Sequence, residues 1–270
     1  MTVFQAFILG IVQGITEFLP ISSSGHLVLT PYLLDWNIPE EQVFVFDVLV
    51  QIGTLVAVIL YFRRELWSIL SVTMVSVGKP DAFQKQEVKL GVSLIIATIP
   101  AIVVGFALKN IVERTFSNPQ FTVVSLVFTA ILLIIAEQMG KRSKKVEDIG
   151  VIEALVIGIF QAAALFPGVS RSGATITGGM LSDLDRPAAA RFSFLMSVPV
   201  MLGAGGLAAV DLINTPNLGT FILPLLVGFI TAGIVGYLSI HWLLRFLTDH
   251  PLYYFSIYLI AATTLIVVLK

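Results

Sequence analysis

The sequence has no cysteine, and charged residues make up only 12% of its 270 positions. Without cysteine the chain forms no disulfide and no thiolate metal site, and the redox state of its compartment stays undecided. A soluble domain has about 25% charged residues, so the shortage of charge argues against a soluble domain. Lys and Arg are also absent before the first apolar run, and a cleaved signal peptide is therefore not predicted.

Hydrophobic residues, in contrast, make up 57% of the chain, and its mean hydropathy is +0.95. Several apolar runs approach or exceed the roughly 20 residues that cross the hydrocarbon core of a bilayer. We therefore predict an all-α integral membrane protein that crosses the bilayer several times. Full-length spans are predicted at about residues 43–62, 91–109, 119–139, 188–210, 219–240 and 251–269.

Two short stretches of the chain resemble each other. Residues 10–25 and 158–173 align without a gap when one stretch is moved by 148 positions. Seven of the sixteen aligned pairs are identical, which indicates an internal duplication. The identical pairs are Gly10/Gly158, Ile11/Ile159, Gln13/Gln161, Phe18/Phe166, Ser22/Ser170, Ser24/Ser172 and Gly25/Gly173.

Each repeated stretch joins two apolar helical segments that are too short to span a bilayer. The segments are residues 4–16 and 26–34 in the first half, and residues 151–165 and 174–183 in the second half. Two half-length helices joined by a Ser/Gly loop are typical of a re-entrant hairpin, which enters the membrane and returns to the same side. The alternative is that each pair forms one kinked spanning helix.

The placement of basic residues favours the re-entrant hairpins. With both hairpins re-entrant, twelve basic residues fall on one side of the membrane and three on the other. Because basic residues concentrate on the cytoplasmic side, both termini are predicted outside. The predicted fold class is two inverted-topology repeats, residues 1–140 and 150–270, each a re-entrant helical hairpin plus three transmembrane helices, joined by a cytoplasmic linker at 141–149. The three basic residues on the outer side are Lys109, Arg114 and Lys270.

The two loops are predicted to form an anion-binding site. Each loop ends by starting a helix, and helix N-termini offer free N–H groups and a partial positive charge. Arg171 lies in the second loop, where an isolated arginine costs about 2.5–3.5 kcal/mol, and its planar guanidinium suits bidentate binding of phosphate. The alternative is a structural ion pair with Glu17. The predicted substrate-binding residues are Ser22, Ser24, Gly25, Ser170, Ser172, Gly173 and Thr175.

Gln13 and Glu17 are predicted to hold a divalent cation. They lie four residues apart, so they share one face of a helix near its C-terminal end. Their side-chain oxygens suit Mg²⁺ or Ca²⁺. The alternative is that Glu17 only neutralises Arg171. The counterpart of Glu17 in the second repeat is Leu165, so the acid lies in one loop and the base in the other.

The candidate catalytic residues are Ser23 and His26 in the first loop, together with Glu17 and Arg171. His26 could act as a general acid, a base or a nucleophile, although a lone histidine is more often structural. Gln51, in the first full-length span, is a weaker candidate. A solvated cytoplasmic turn is predicted for the charged residues Asp183, Asp185, Arg186 and Arg191.

These motifs resemble those of the bacterial undecaprenyl-diphosphate phosphatases associated with bacitracin resistance. The (Glu/Gln)-x-x-x-Glu motif is present from Gln13 to Glu17, followed by Pro-x-Ser-Ser-x-Gly-His from Pro20 to His26. Pro-Gly-x-Ser-Arg-Ser-x-x-Thr begins at Pro167. The resemblance covers the whole chain. It implies hydrolysis of a C55 isoprenyl diphosphate to the monophosphate lipid carrier of cell-wall synthesis, and dependence on a divalent cation. The functional residues it implies are Gln13, Glu17, His26, Ser170, Arg171, Ser172 and Thr175.

Lipid phosphatases of the phosphatidic-acid-phosphatase type carry a histidine six positions after their Ser-Arg pair. Here position 177 is threonine, so a covalent phosphohistidine mechanism is not supported.

The sequence thus predicts a multi-pass phosphatase of the bacterial cytoplasmic (inner) membrane, with its site open to the outer, periplasmic side. Its predicted partners are an isoprenyl diphosphate lipid and the bilayer, without nucleic acid, and a homodimer stays open. The nucleophile also stays open among Ser23, His26 and water. The alternative function is a transporter or flippase for an anionic lipid or solute, since inverted repeats with discontinuous helices are common in transporters.

Overall fold

A computed structural model describes residues 1–76, 78–79, 81–115, 119–213 and 221–269. Over these residues the chain forms eleven α-helices and no named β-strand, which confirms the all-α prediction. The helices are α1 Val3–Thr16, α2 Ser23–Leu33, α3 Glu40–Tyr61, α4 Arg63–Ser76, α5 Gln86–Thr115, α6 Pro119–Met139, α7 Val151–Ala163, α8 Arg171–Leu181, α9 Arg186–Ile213, α10 Ile222–Asp249 and α11 Tyr253–Leu269.

Four helices in the described part of the chain are long and apolar enough to cross a membrane. Four of the six spans predicted from the sequence are therefore confirmed, and the chain is a multi-pass membrane protein. The other two predicted spans, at 188–210 and 251–269, are the helices α9 and α11. Lys270, predicted outside, lies beyond the described residues. The four candidate spans are Gln42–Tyr61, Gln86–Leu108, Gln120–Met139 and Ile222–Asp249.

The helix α4 follows the first full-length span directly and was not predicted. Its first turn carries Glu65 beside two arginines, and beyond that turn Trp67, Leu70 and Met74 are exposed apolar residues. Their spacing of three and then four residues is the repeat of one helix face, so this pattern could have revealed the helix. An exposed apolar face that follows basic residues is typical of a helix at the membrane surface.

The two halves pack against each other through equivalent helices. In the first half α1 packs on α10, and in the second half its counterpart α7 packs on α5. The aligned glycines allow these contacts. A Cβ atom on Gly10 would lie 2.8 Å from the Gly228 carbonyl oxygen, and one on Gly158 would overlap the Ala97 carbonyl oxygen. Small residues at such positions let helix backbones approach closely in membrane proteins.

The charged turn before α9 is not simply solvated, so that prediction is wrong for Arg186. Its Nε and Nη2 atoms donate to the Glu137 carboxylate at 2.6 and 2.7 Å, and Glu137 is buried. The same carboxylate accepts from Arg142 and from the Leu252 backbone N–H, each at 2.7 Å. A buried carboxylate needs such partners because an unpaired charge away from water is costly.

The linker between the halves is tied to this turn and to α7. Backbone hydrogen bonds join Lys144 to Asp183 and to Asp185, each at 2.9 Å. The Lys144 ammonium also donates to Glu153 in the first turn of α7 at 2.7 Å, and this hydrogen bond raises the pKa of Lys144. These contacts hold the linker against the beginning of the second half.

Candidate active site

The two repeated loops begin their second helices in the same way. The Ser22 hydroxyl accepts from the Gly25 backbone N–H at 3.2 Å, and the Ser170 hydroxyl accepts from the Gly173 N–H at 3.1 Å. Both serines are N-caps, which satisfy a backbone N–H that the helix itself leaves unpaired. As a result α2 and α8 each begin three residues earlier than the sequence predicted. Arg171 is therefore the first residue of α8.

Glu17 and Arg171 connect the two loops. Glu17 directly follows α1 as its C-cap, while Arg171 opens α8. The Arg171 Nη2 atom donates to Glu17 Oε1 at 2.7 Å, and the side chains are 20% and 7% exposed respectively. The ion pair considered as an alternative for Arg171 is thus present. It brings the acidic motif of one half into direct contact with the basic motif of the other.

The second oxygen of the Glu17 carboxylate also has partners. The Ser23 hydroxyl donates to Oε2 at 2.6 Å, and the Gln13 amide Nε2 donates to the same atom at 3.0 Å. Three of the four predicted catalytic residues, Glu17, Ser23 and Arg171, therefore form one hydrogen-bonded group. A carboxylate within hydrogen-bond reach of a hydroxyl can accept its proton and activate it as a nucleophile.

This group lies on the wall of a cavity of about 340 Å³ between the two loops. One part of the wall is polar and another part is apolar, and this combination suits a ligand with an anionic head and a hydrocarbon tail. The polar lining residues are Thr16, Glu17, Ser22, Ser23, Ser24, Gln51, Gln161, Ser170 and Arg171. The apolar lining residues are Ala101, Ala164, Leu165, Phe166, Pro167, Val169, Val200 and Met201.

His26 does not line this cavity. Its Nδ1 atom lies 2.7 Å from the Ser22 carbonyl oxygen, and its Nε2 atom lies 2.7 Å from the Tyr258 hydroxyl of α11. Because a carbonyl oxygen only accepts, the hydrogen is on Nδ1. Ser22 has a φ of +73°, which residues other than glycine rarely adopt. The imidazole thus holds the first loop in a strained conformation.

Gly25 and Gly173 face the helix α6 rather than the cavity. A Cβ atom on Gly25 would lie 3.1 Å from Leu126, and one on Gly173 would lie 2.9 Å from Thr129. Both glycines were predicted to bind the substrate. In the structure they are points of close approach for side chains of α6.

Ser172 and Thr175 are also turned away from the cavity. The Ser172 hydroxyl donates to the Leu19 carbonyl oxygen at 2.9 Å, which adds a second contact between the loops. The Thr175 hydroxyl donates to the Arg171 carbonyl oxygen at 2.8 Å and lies 2.6 Å from the Ser193 hydroxyl of α9. Both residues therefore support the backbone that carries Arg171.

Comparison with known proteins decides the family. The profile of the family described as "Bacitracin resistance protein BacA" matches residues 6–265. The chain belongs to this family. Relatives over nearly the full length are named undecaprenyl-diphosphatase. One from Chlorobium luteolum is 44% identical over 97% of this chain and 95% of its own length. One from Rubrobacter xylanophilus is 40% identical over 100% of this chain and 98% of its own length. One from Moorella thermoacetica is 39% identical over 99% of this chain and 97% of its own length.

In this BacA-family chain, sequence reasoning missed two polar residues of the cavity, Thr16 and Gln161. Gln161 lies in the last turn of α7, lines the cavity and is 2% exposed. It is aligned with Gln13, and this pairing was the signal that could have identified it. Gln51, a weaker candidate from the sequence, does line the cavity.

The oxygen atoms at and near Glu17 are suited to bind a divalent cation. Gln13 is fully buried, and its Oε1 atom has no hydrogen-bond partner among the described residues. Within that same part of the chain no group of three or more His, Cys, Asp and Glu residues could hold a metal. Mg²⁺ commonly binds one or two carboxylates and completes its coordination with water and substrate phosphates. Glu17 lines the cavity and fits that mode, whereas Gln13 does not line the cavity and lies one helical turn before Glu17 with its Oε1 atom unpartnered among the described residues.

Proposed function

We propose that this chain hydrolyses undecaprenyl diphosphate to undecaprenyl phosphate and inorganic phosphate, an activity that would confer resistance to bacitracin. The names of its full-length relatives support the substrate. The observation that carries the proposal is the contact of Glu17 with Arg171 beside the Ser23 hydroxyl, on the wall of a cavity with a partly apolar lining. The product would be the lipid carrier used in cell-wall synthesis.

The proposed role of Arg171 is to bind the terminal phosphate. Its contact with Glu17 uses one of the five N–H donors of the guanidinium. The hydroxyls of Ser22, Ser24 and Ser170 line the same cavity and offer further donors. Phosphoryl transfer depends mainly on positioning and on charge stabilisation. This set of donors would supply both.

The proposed role of Glu17 is to accept the proton of the nucleophile. Of the three candidates left open by the sequence, the geometry favours Ser23 or a water held by Glu17, because His26 does not line the cavity. The nucleophile attacks the terminal phosphorus, the bond to the bridging oxygen breaks, and the lipid monophosphate leaves with the electron pair. With Ser23 as nucleophile, water then releases phosphate from the serine. His26 would act by holding the loop that carries Ser23.

A divalent cation, Mg²⁺ or Ca²⁺, is part of the proposal. When bound, it would neutralise negative charge on the diphosphate. Gln13 and Glu17 are the residues that would hold it, together with substrate oxygens. The unpartnered Gln13 Oε1 atom supports this assignment.

We also propose that residues 1–140 and 150–270 are inverted repeats around the linker 141–149, with both hairpins re-entrant. The matching N-caps of α2 and α8 and the matching glycine contacts of α1 and α7 support the repeat. The distribution of basic residues supports a linker in the cytoplasm and both termini outside. We propose in addition that the site opens to the periplasmic side of the inner membrane.

Phosphate release by the purified protein tests this function. Undecaprenyl diphosphate in detergent, with Mg²⁺ or Ca²⁺, should yield one inorganic phosphate per lipid, and Arg171→Ala should remove this activity. A transporter or flippase would instead move the lipid across liposomes and release no phosphate. Absence of phosphate release by folded wild-type protein with either cation would overturn the proposal.

A further inference from the structure

The side chain of Gln161 is buried against the cavity without a hydrogen-bond partner. The residue is 2% exposed, and neither its Nε2 nor its Oε1 atom is paired within the described residues. A buried amide without partners loses its hydrogen bonds to water and gains nothing in return, so it destabilises the fold. Because the residue lies in the wall of a binding cavity, a bound ligand could supply the missing hydrogen-bond partners.

The repeat explains why this amide is left without a partner. Gln13, the aligned residue of the first half, donates through Nε2 to Glu17 four residues later. The residue four positions after Gln161 is Leu165, whose side chain cannot accept a hydrogen bond. The Nε2 group is therefore paired in one repeat and unpaired in the other, while Oε1 is unpaired in both among the described residues. The replacement of an acid by leucine leaves the second amide available to a ligand.

The surroundings of Gln161 indicate the chemistry of that ligand. Glu17 and Arg171 line the same cavity, as do Ser23 and Ser170. An amide presents a donor and an acceptor side by side. A hydrated phosphate satisfies both, because its oxygens accept and its bound water donates. An apolar ligand would satisfy neither atom.

We propose that Gln161 binds the diphosphate head of the substrate directly, with Nε2 donating to a phosphate oxygen and Oε1 accepting from a water in the cavity. The proposal rests on the function proposed above and names a further substrate-binding residue for it. Gln13 and Gln161 then have different tasks. Gln13 orients Glu17 through Nε2 and would hold the cation through Oε1, and Gln161 contacts the substrate.

The test separates ligand binding from structural support. Gln161→Met keeps the length of the side chain and removes both polar atoms. We expect kcat/KM for undecaprenyl diphosphate to fall at least tenfold. We also expect thermal stability in detergent to stay equal or rise, because an apolar group of similar shape replaces an unpaired buried amide. Gln84→Met, at an exposed position outside the cavity, is the matched control and should keep wild-type values.

A second variant and a binding measurement complete the test. Gln161→Glu places a carboxylate near the phosphates, so the dissociation constant for a short isoprenyl diphosphate should rise at least tenfold, measured by thermal stabilisation without turnover. Gln161→Met should weaken the same binding. If both variants bind and react within threefold of wild type, or if activity and thermal stability fall together, the proposal is wrong. If the wild type binds the diphosphate but releases no phosphate, the proposed function fails while the binding role of Gln161 stands.

Discussion

At the scale of single residues, the site depends on differences between two repeats that share a backbone. The loops have matching N-caps at Ser22 and Ser170, but the positions that carry chemistry differ. Glu17 is aligned with Leu165, and Ser23 is aligned with Arg171. One loop therefore supplies the carboxylate and the hydroxyl, and the other supplies the guanidinium of Arg171. Their contact at 2.7 Å joins the two contributions.

Arg171→Lys should be nearly as damaging as Arg171→Ala. An ammonium is a point charge and does not reproduce the two parallel N–H donors that a guanidinium offers to a phosphate. We expect less than about a tenth of wild-type kcat/KM, measured by phosphate release at saturating metal. Arg245→Lys, on the exposed surface of α10, is the matched control. A lysine variant with more than about a third of wild-type kcat/KM, a loss below ~1 kcal/mol, would rule out bidentate binding.

Glu17→Gln and His26→Ala should respond differently to metal. Glu17→Gln removes both the charge that would hold the cation and the proposed base, so the apparent affinity for Mg²⁺ should weaken about tenfold or more, and high metal should recover only part of the activity. His26→Ala releases the Ser22 carbonyl oxygen and the Tyr258 hydroxyl, so kcat should fall at every metal concentration. Metal titrations of both variants measure this. If excess metal rescues His26→Ala but not Glu17→Gln, the metal-binding role assigned to Glu17 is wrong.

At the scale of helices, periodicity and loop composition predicted most elements and missed those set by capping and by packing. The four half-length helices were expected, but α2 and α8 begin earlier because Ser22 and Ser170 are their caps. The helix α4 was missed because its apolar face is short and follows directly on a full-length span. Gly25 and Gly173 were predicted to bind the substrate, yet a Cβ atom on either would lie closest to a side chain of α6, a contact that no local pattern reveals.

The site itself was predictable only in part, because some of its contacts join residues that are far apart in the sequence. Gln13, Glu17, Ser23 and Arg171 stood out because polar residues are rare in apolar stretches. The ring orientation of His26 depends on Tyr258, which lies 232 positions further along the chain, so no local sequence pattern could predict it. The role of Gln161 follows only from the absence of an acceptor at Leu165 once both are known to line the cavity.

Alanine at Gly10 or Gly158 should destabilise the fold by about 1–3 kcal/mol, because a Cβ atom would collide with the backbone of the facing helix. Loss of thermal stability in detergent measures the effect. Gly203→Ala is the matched control, since a Cβ atom there meets nothing within 4 Å and alanine favours a helix. Equal melting temperatures for all three variants would contradict close packing of α1 on α10 and of α7 on α5.

At the scale of the whole molecule, the proposed inverted topology can be tested by labelling, because the natural chain has no cysteine. A single cysteine at Asn37, exposed between α2 and α3, should react with a membrane-impermeant reagent in intact cells. One at Lys144 in the linker should react only after the membrane is permeabilised. The charge distribution gives this orientation. Labelling of Lys144→Cys but not Asn37→Cys in intact cells would reverse it.

The central claim is that one catalytic unit forms from both halves of the chain. A double-mutant cycle on kcat/KM tests it most directly, with Glu17→Gln, Arg171→Gln and the double variant assayed by phosphate release. The effects of substituting residues that act as a unit are not additive. The kcat/KM of the double variant should therefore lie within about threefold of that of the less active single variant. Arg171→Gln combined with Glu65→Gln, which lies outside the cavity, should give losses that multiply. If the losses from Glu17→Gln and Arg171→Gln also multiply, the two loops act independently and the account is contradicted.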